Sequence, residues 1–196
     1  MILLLFLTLG CSAQAEQLAP EPLTAEVVQR SDEATRSMLA LEAHLGSLTF
    51  GELNDIQQAA DTLRTTCPYN QATYQLAWML DAQVPAGAPG RDGVDAMVRV
   101  MGLLDLNKPE RVMSPDEVQV VLDGVMAQAE ALTDAEREVI DQANQTLDWG
   151  DRISWPVADQ GLRWPPKEAF IGWRDGLRVD HTQLAELLDQ HIGLYC

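Results

Sequence analysis

The sequence is short of positive charge: its 196 residues carry 13 Lys plus Arg against 30 Asp plus Glu, a formal net charge of −17. A sequence-independent nucleic-acid binder draws its affinity from Lys and Arg on phosphates, so the deficit argues against that class. It equally disfavours docking on anionic lipid headgroups. Catalytic signatures are missing too: there is no Cys-x-x-Cys, no His-Glu-x-x-His, no phosphate-binding Gly-rich loop and no Gly-x-Ser-x-Gly. No catalytic residue, metal ligand or cofactor is indicated. Histidine is scarce, and His181 and His191 lie ten residues apart, nearly three helical turns, too far to share a metal. His44 stands alone. Apolar residues, by contrast, make up an ordinary 46% of the chain, which excludes wholesale disorder and suffices for a core at this length.

The apolar run from Ile2 to Leu9 is too short to span a bilayer as a helix. It fits the apolar region of a secretory signal, although no Lys or Arg precedes it. Ala13-Gln14-Ala15 supplies the small-x-small cleavage pattern, and the change to Glu16-Gln17 and Pro20-Glu21-Pro22 reads as a processing boundary. A second reading competes: Leu7-Thr8-Leu9-Gly10-Cys11 resembles the lipobox of bacterial lipoproteins, in which Cys11 is lipidated and becomes the mature N-terminus. Gly10 suits that pattern, while Thr8 and Leu9 stand in the reverse of the commonest order. The resemblance implies export and anchoring and brings no activity with it; stable anchoring takes several acyl chains. The expected organisation is a signal segment over 1–15, a short tether over 16–22 and a single helical domain over 23–196. The expected location is the periplasm or the outer membrane of a bacterium, or otherwise the secreted fraction.

Cysteine usage agrees with export. Cleavage removes Cys11 and lipidation consumes it, which leaves Cys67 and Cys196 as an even pair in a compartment that permits disulfides. A bridge between them would pin the last residue and contribute about 2–4 kcal/mol. The alternative is two unrelated thiols.

The body reads as helix. Val27, Ala34, Met38, Leu41 and Leu45 form one stripe, stopped by Gly46. Thr49 to Glu52 reads as a capping box, with Leu48 and Leu53 as its hydrophobic staple, and Leu53, Ile56, Ala60 and Leu63 continue the second stripe. Pro68 suits the first turn of a third helix carrying Tyr74, Ala77 and Trp78 to Leu80. A turn-rich linker over 85–90 precedes a fourth helix, capped by Asp92 and carrying Val94, Met97, Val98, Met101 and Leu104. Met97 and Met101 read as core fillers. Ser114-Pro115-Asp116-Glu117 and Thr133 to Glu136 start the fifth and sixth helices, and 180–183 the last. About seven helices with short connections predict an all-α bundle of irregular order.

The stretch from Trp149 to Val179 departs from this pattern. It holds four of the five Trp (Trp149, Trp155, Trp164 and Trp173) and the bases Arg152, Arg163, Lys167, Arg174 and Arg178. Residues 114–150, in contrast, carry nine acids and one base. Trp155-Pro156 and Trp164-Pro165-Pro166 impose extended geometry before each Pro, and Asp175-Gly176 has the composition of a small hairpin turn. Two readings compete for this segment. It is a lid whose Trp are buried and whose Arg pair with the acidic helices, or it is a contact surface built on Trp155, Trp164, Trp173, Arg163, Arg174 and Arg178.

Asp105-x-Asn107 with Asp116 echoes a calcium loop, but Pro109, Glu110 and Asp116 stand where that loop needs a ligand, the central Gly and a bidentate Glu. The expectation from sequence is therefore a non-enzymatic envelope protein, of the binding, inhibitor or assembly-factor kind. It would bind a protein partner through the 149–179 segment, with membrane contact only through a lipid on Cys11. The alternatives are a cell-wall or polysaccharide hydrolase using an Asp/Glu pair and a small-ligand carrier with an apolar pocket between helices.

Overall fold

The computed structural model describes residues 24–149, 153, 167–177 and 182–192. The expected signal segment over 1–15 and tether over 16–22, and Trp155, Arg163, Trp164, Arg178 and Cys196, lie outside the described residues.

Helix starts follow the local chemistry of the chain. In α1 (Ala25–Ser47) the Thr24 hydroxyl accepts from the Val27 N–H at 3.3 Å. Before α2 (Phe50–Thr66), Thr49 and Glu52 form the reciprocal capping box, satisfying two amide donors that the first turn leaves open. α3 (Pro68–Gln83) opens on Pro68, whose missing N–H has no role at that position. The capping box recurs at Ser114 and Glu117 for α5 (Pro115–Glu130) and at Thr133 and Glu136 for α6 (Asp134–Thr146). Glu117 also takes a hydrogen bond from Arg111 at 2.8 Å. That bond, followed by those from the Ser114 amide and hydroxyl, holds its carboxyl at about 2, well below the usual 4.5.

Two expectations need correction. α4 (Arg91–Leu103) is capped by Gly90, not Asp92; the left-handed backbone of Gly90, φ +80°, turns the chain into the helix earlier and leaves Asp92 in the first turn. And the Asp175-Gly176 hairpin does not form: residues 167–177 are a helix, α7 (Lys167–Leu177), and no strand occurs among the described residues. Phe170, Trp173 and Leu177 recur at helical spacing and all three are fully buried, so one apolar face decides the conformation. With α8 (Thr182–Ile192), the described residues contain eight helices where about seven were expected, an all-α bundle throughout.

α3 is the hub. It packs against α2, α4, α5 and α8, and Leu76, Ala77, Trp78, Met79 and Leu80 are buried in succession, as befits a helix surrounded on all sides. α1 lies on α4 and α7, α7 on α8, and α8 on α5; α2 and α6 pair on the flank. One continuous cluster joins Met38, Leu63, Leu76, Met97, Leu122, Trp149, Trp173 and Leu188. α7 reaches α1 closely because Gly172 has no side chain: a Cβ there would stand 2.6 Å from the Ala34 Cβ and 2.7 Å from the Arg30 carbonyl oxygen. α4 meets the same helix through Gly93, where a Cβ would overlap the Trp173 indole.

Candidate functional site

The Trp/Arg segment, where it is described, faces inward. Trp149 and Trp173 are each 0% exposed, and their indole N–H groups have no hydrogen-bond partner among the described residues. Trp173 stacks edge-on against Phe170, with centroids 5.6 Å apart, and Trp149 meets His44 edge-on at 5.9 Å. Trp173 is thus a core residue and is withdrawn as a surface contact. Arg174 is partly buried and committed: its Nε donates to Asp175 at 2.9 Å and its Nη1 to Asp189 at 2.7 Å. Arg30 of α1 donates to the same Asp175 at 3.3 Å, so one charge network ties α1, α7 and α8 together. Burial works against the Arg174 charge, but the hydrogen bonds and charges of Asp175 and Asp189 outweigh it and raise its pKa. Cys67 is fully buried between α2 and α3 and is disulfide-bonded.

Other sites weighed in the sequence also have places. Met97 and Met101 are buried and line a cavity of about 10 Å³ between α2, α3 and α4, room for about one water and not for a ligand. Asn107 donates to Asp105 at 3.3 Å within the α4–α5 connection, and Asp116, in the first turn of α5, accepts instead from Gln183 of α8 at 3.4 Å. No cluster of three or more metal-ligating side chains occurs among the described residues. No helix among the described residues is long and apolar enough to cross a membrane. Asp32 and Asp92 line one groove of about 290 Å³ between α1 and the α3–α4 loop, whose other walls include Ser31, Thr35, Ala88 and Pro89. None of the described Trp stands in it.

The surface of α5 and α6 is poorer in countercharge than that of α1 to α4. On those helices several carboxylates have basic neighbours, Glu26 and Arg30, Glu42 and Arg99, Asp61 and Arg64, Asp81 and Asp95 with Arg91, although Asp32 and Asp92 have none among the described residues. On α5 and α6, Asp123, Glu130, Asp134, Glu138 and Asp141 are exposed, and none has a basic partner among the described residues. Glu130 closes α5, at the negative end of the helix dipole, and no basic residue stands in that last turn. Arg137, the one base of this stretch, is turned toward the α5 terminus, where it donates to the Ala129 carbonyl at 3.1 Å.

These helices also border an open groove of about 380 Å³, at the small end of ligand-binding clefts, which run roughly 300–1,000 Å³. Its apolar lining is Ala129, Leu132 and Ile140; Tyr69, Arg137, Glu130 and Asp141 complete it. Leu132 and Tyr69 are partly buried and pack on the core, while Ile140 is 3% exposed, so this lining is fixed by the fold. The charge of the face was visible in the sequence as the acidic block over 114–150. The groove was not, because Tyr69 reaches it from α3. Comparison with family models, curated proteins and solved structures finds no match to this chain.

Proposed function

We propose that this chain is an exported, acidic, non-enzymatic binding module whose partner is a basic protein of the cell envelope. The observation that carries the reading is the set of five exposed carboxylates on α5 and α6, Asp123, Glu130, Asp134, Glu138 and Asp141, with no basic partner among the described residues, beside an open groove. Like charges left together destabilise the folded state, and a cationic partner relieves that repulsion. The contact surface is accordingly assigned to α5 and α6 and no longer to the Trp segment, whose described Trp are core. Export through the leader, by cleavage after Ala15 or lipidation of Cys11, and a Cys67–Cys196 bridge belong to the same proposal. The disulfide on Cys67 supports it, since such bonds persist in oxidising compartments.

The test is neutralisation of the face outside the groove. A triple variant Asp123→Asn, Asp134→Asn, Glu138→Gln is expected to associate with the protein's own envelope fraction about ten times more slowly at low salt. The difference should vanish at high salt, where exposed charges are screened. Equal association of variant and native protein at low salt would remove the basis for the reading.

A further inference from the structure

We infer that the groove between the α5–α6 turn and Tyr69 is the docking site for a Lys/Arg-rich segment of the partner that carries one large aliphatic side chain. This rests on the binding-module reading and deepens it, because it names the place and the chemistry of the contact. Two features of the groove select this occupant together. Leu132, Ile140 and Ala129 give it an apolar lining, which rewards an apolar side chain by removing it from water. Glu130 and Asp141 line the same groove, both exposed and both without a basic partner among the described residues, and they favour cations on either side of that side chain.

The charge complementarity is local as well as global. Glu130 lies at the unfavourable end of the α5 dipole, and Arg137, which also lines the groove, is held by the Ala129 carbonyl at the α5 terminus. Arg137 serves the α5 carbonyls and makes no ion pair with Glu130 or Asp141, so an incoming ammonium or guanidinium would supply the countercharge that these two carboxylates lack. A volume of about 380 Å³ accommodates a single large side chain with its flanking backbone and falls well short of a whole amphipathic helix. An acidic or purely apolar occupant would leave the carboxylates desolvated without compensation, which buried charge does not tolerate.

The experiment uses two fluorescein-labelled probes titrated into the full chain and read by anisotropy. One is a nine-residue peptide with a central Leu between runs of four Lys, and the other has Gly in place of that Leu. The Leu peptide should bind roughly 10- to 100-fold more tightly, as expected for burying one Leu side chain. The paired reversal Glu130→Lys and Asp141→Lys should weaken both peptides more than tenfold; both positions are exposed, so folding is retained, and circular dichroism checks it. The same charge change at Asp32→Lys and Asp92→Lys should leave the ratio between the peptides unchanged. Leu132→Ser should bring the Leu peptide down to the level of the Gly peptide. Equal binding of the two peptides, or equal weakening by the two charge reversals, would overturn the groove assignment and leave a diffuse acidic surface. That failure is distinguishable from failure of the broader reading, since envelope association would still depend on Asp123, Asp134 and Glu138.

Discussion

Trp173→Ala is expected to lower the free energy of unfolding by about 3–5 kcal/mol, the range for removing a buried Trp. The side chain is 0% exposed, stacks edge-on against Phe170 and fills the space over Gly93 of α4. Its removal leaves a cavity where α1, α4 and α7 meet, with α8 behind α7. Folded domains are stable by only about 5–15 kcal/mol, so a large part of the total would be lost. Trp173→Phe should cost less than half as much. It keeps a ring against Phe170 and gives up an indole N–H that has no partner among the described residues. Urea unfolding of the three proteins measures both differences. If Trp173→Ala were as stable as the native chain, the ring would not be core, and the Trp segment would return as a contact surface.

The second large effect has an internal control of opposite sign. Gly172→Ala would place a methyl 2.7 Å from the Arg30 carbonyl oxygen and 2.6 Å from the Ala34 Cβ, and α1 must move to admit it because one neighbour is backbone. Overpacking of this kind destabilises by about 1–3 kcal/mol, more than the ~1 kcal/mol that Ala gains over Gly in a helix. Gly124→Ala, in α5 with no atom within 4 Å of the new Cβ, meets open space and should stabilise by up to about 1 kcal/mol. Denaturation midpoints of the two variants should therefore move in opposite directions. A shift of both upward would mean that α7 does not lie against α1 as described.

These residues also show where the sequence was legible and where it was not. Thr49 with Glu52, Ser114 with Glu117 and Thr133 with Glu136 could be read as helix starts because a cap is a local event, complete within four residues. The stripe Ala34, Met38, Leu41 and Leu45 was readable for the same reason: its period is set by the helix alone. α7 was missed because Asp175-Gly176 looks like a turn in isolation. Here Gly176, like Gly172, is a small residue that lets α7 approach α1, and Phe170, Trp173 and Leu177 carry the helical period across them. Gly90 was overlooked as a cap because an Asp two residues on is the commoner signal, whereas the left-handed turn is visible only in the backbone.

The site divides in the same way. Net charge along the chain is additive and could be read from composition, so the acidic character of residues 114–150 was plain. Which carboxylates are left without partners is a tertiary fact. Glu117 pairs with Arg111 across a short loop, whereas Glu130 and Asp141 meet no base among the described residues. The groove depends on Tyr69, which reaches it only because α3 packs against α5. Arg174 had two readings from sequence, an arginine pairing with carboxylates under a lid and a surface contact, and sequence alone could not choose between them. Asp189 of α8 and Asp175 of its own helix claim its guanidinium.

Position-dependent cross-linking tests the central claim most directly. Photoreactive side chains would replace four exposed apolar residues, one per variant: Val120 on α5, Val139 on α6, and Val28 and Leu39 on α1. Each variant would be irradiated in the envelope of cells that make the protein. If α5 and α6 form the binding face, Val120 and Val139 give one defined protein adduct that high salt suppresses, and Val28 and Leu39 give none. Adducts from α1 alone, or the same adducts from all four positions, would contradict the account.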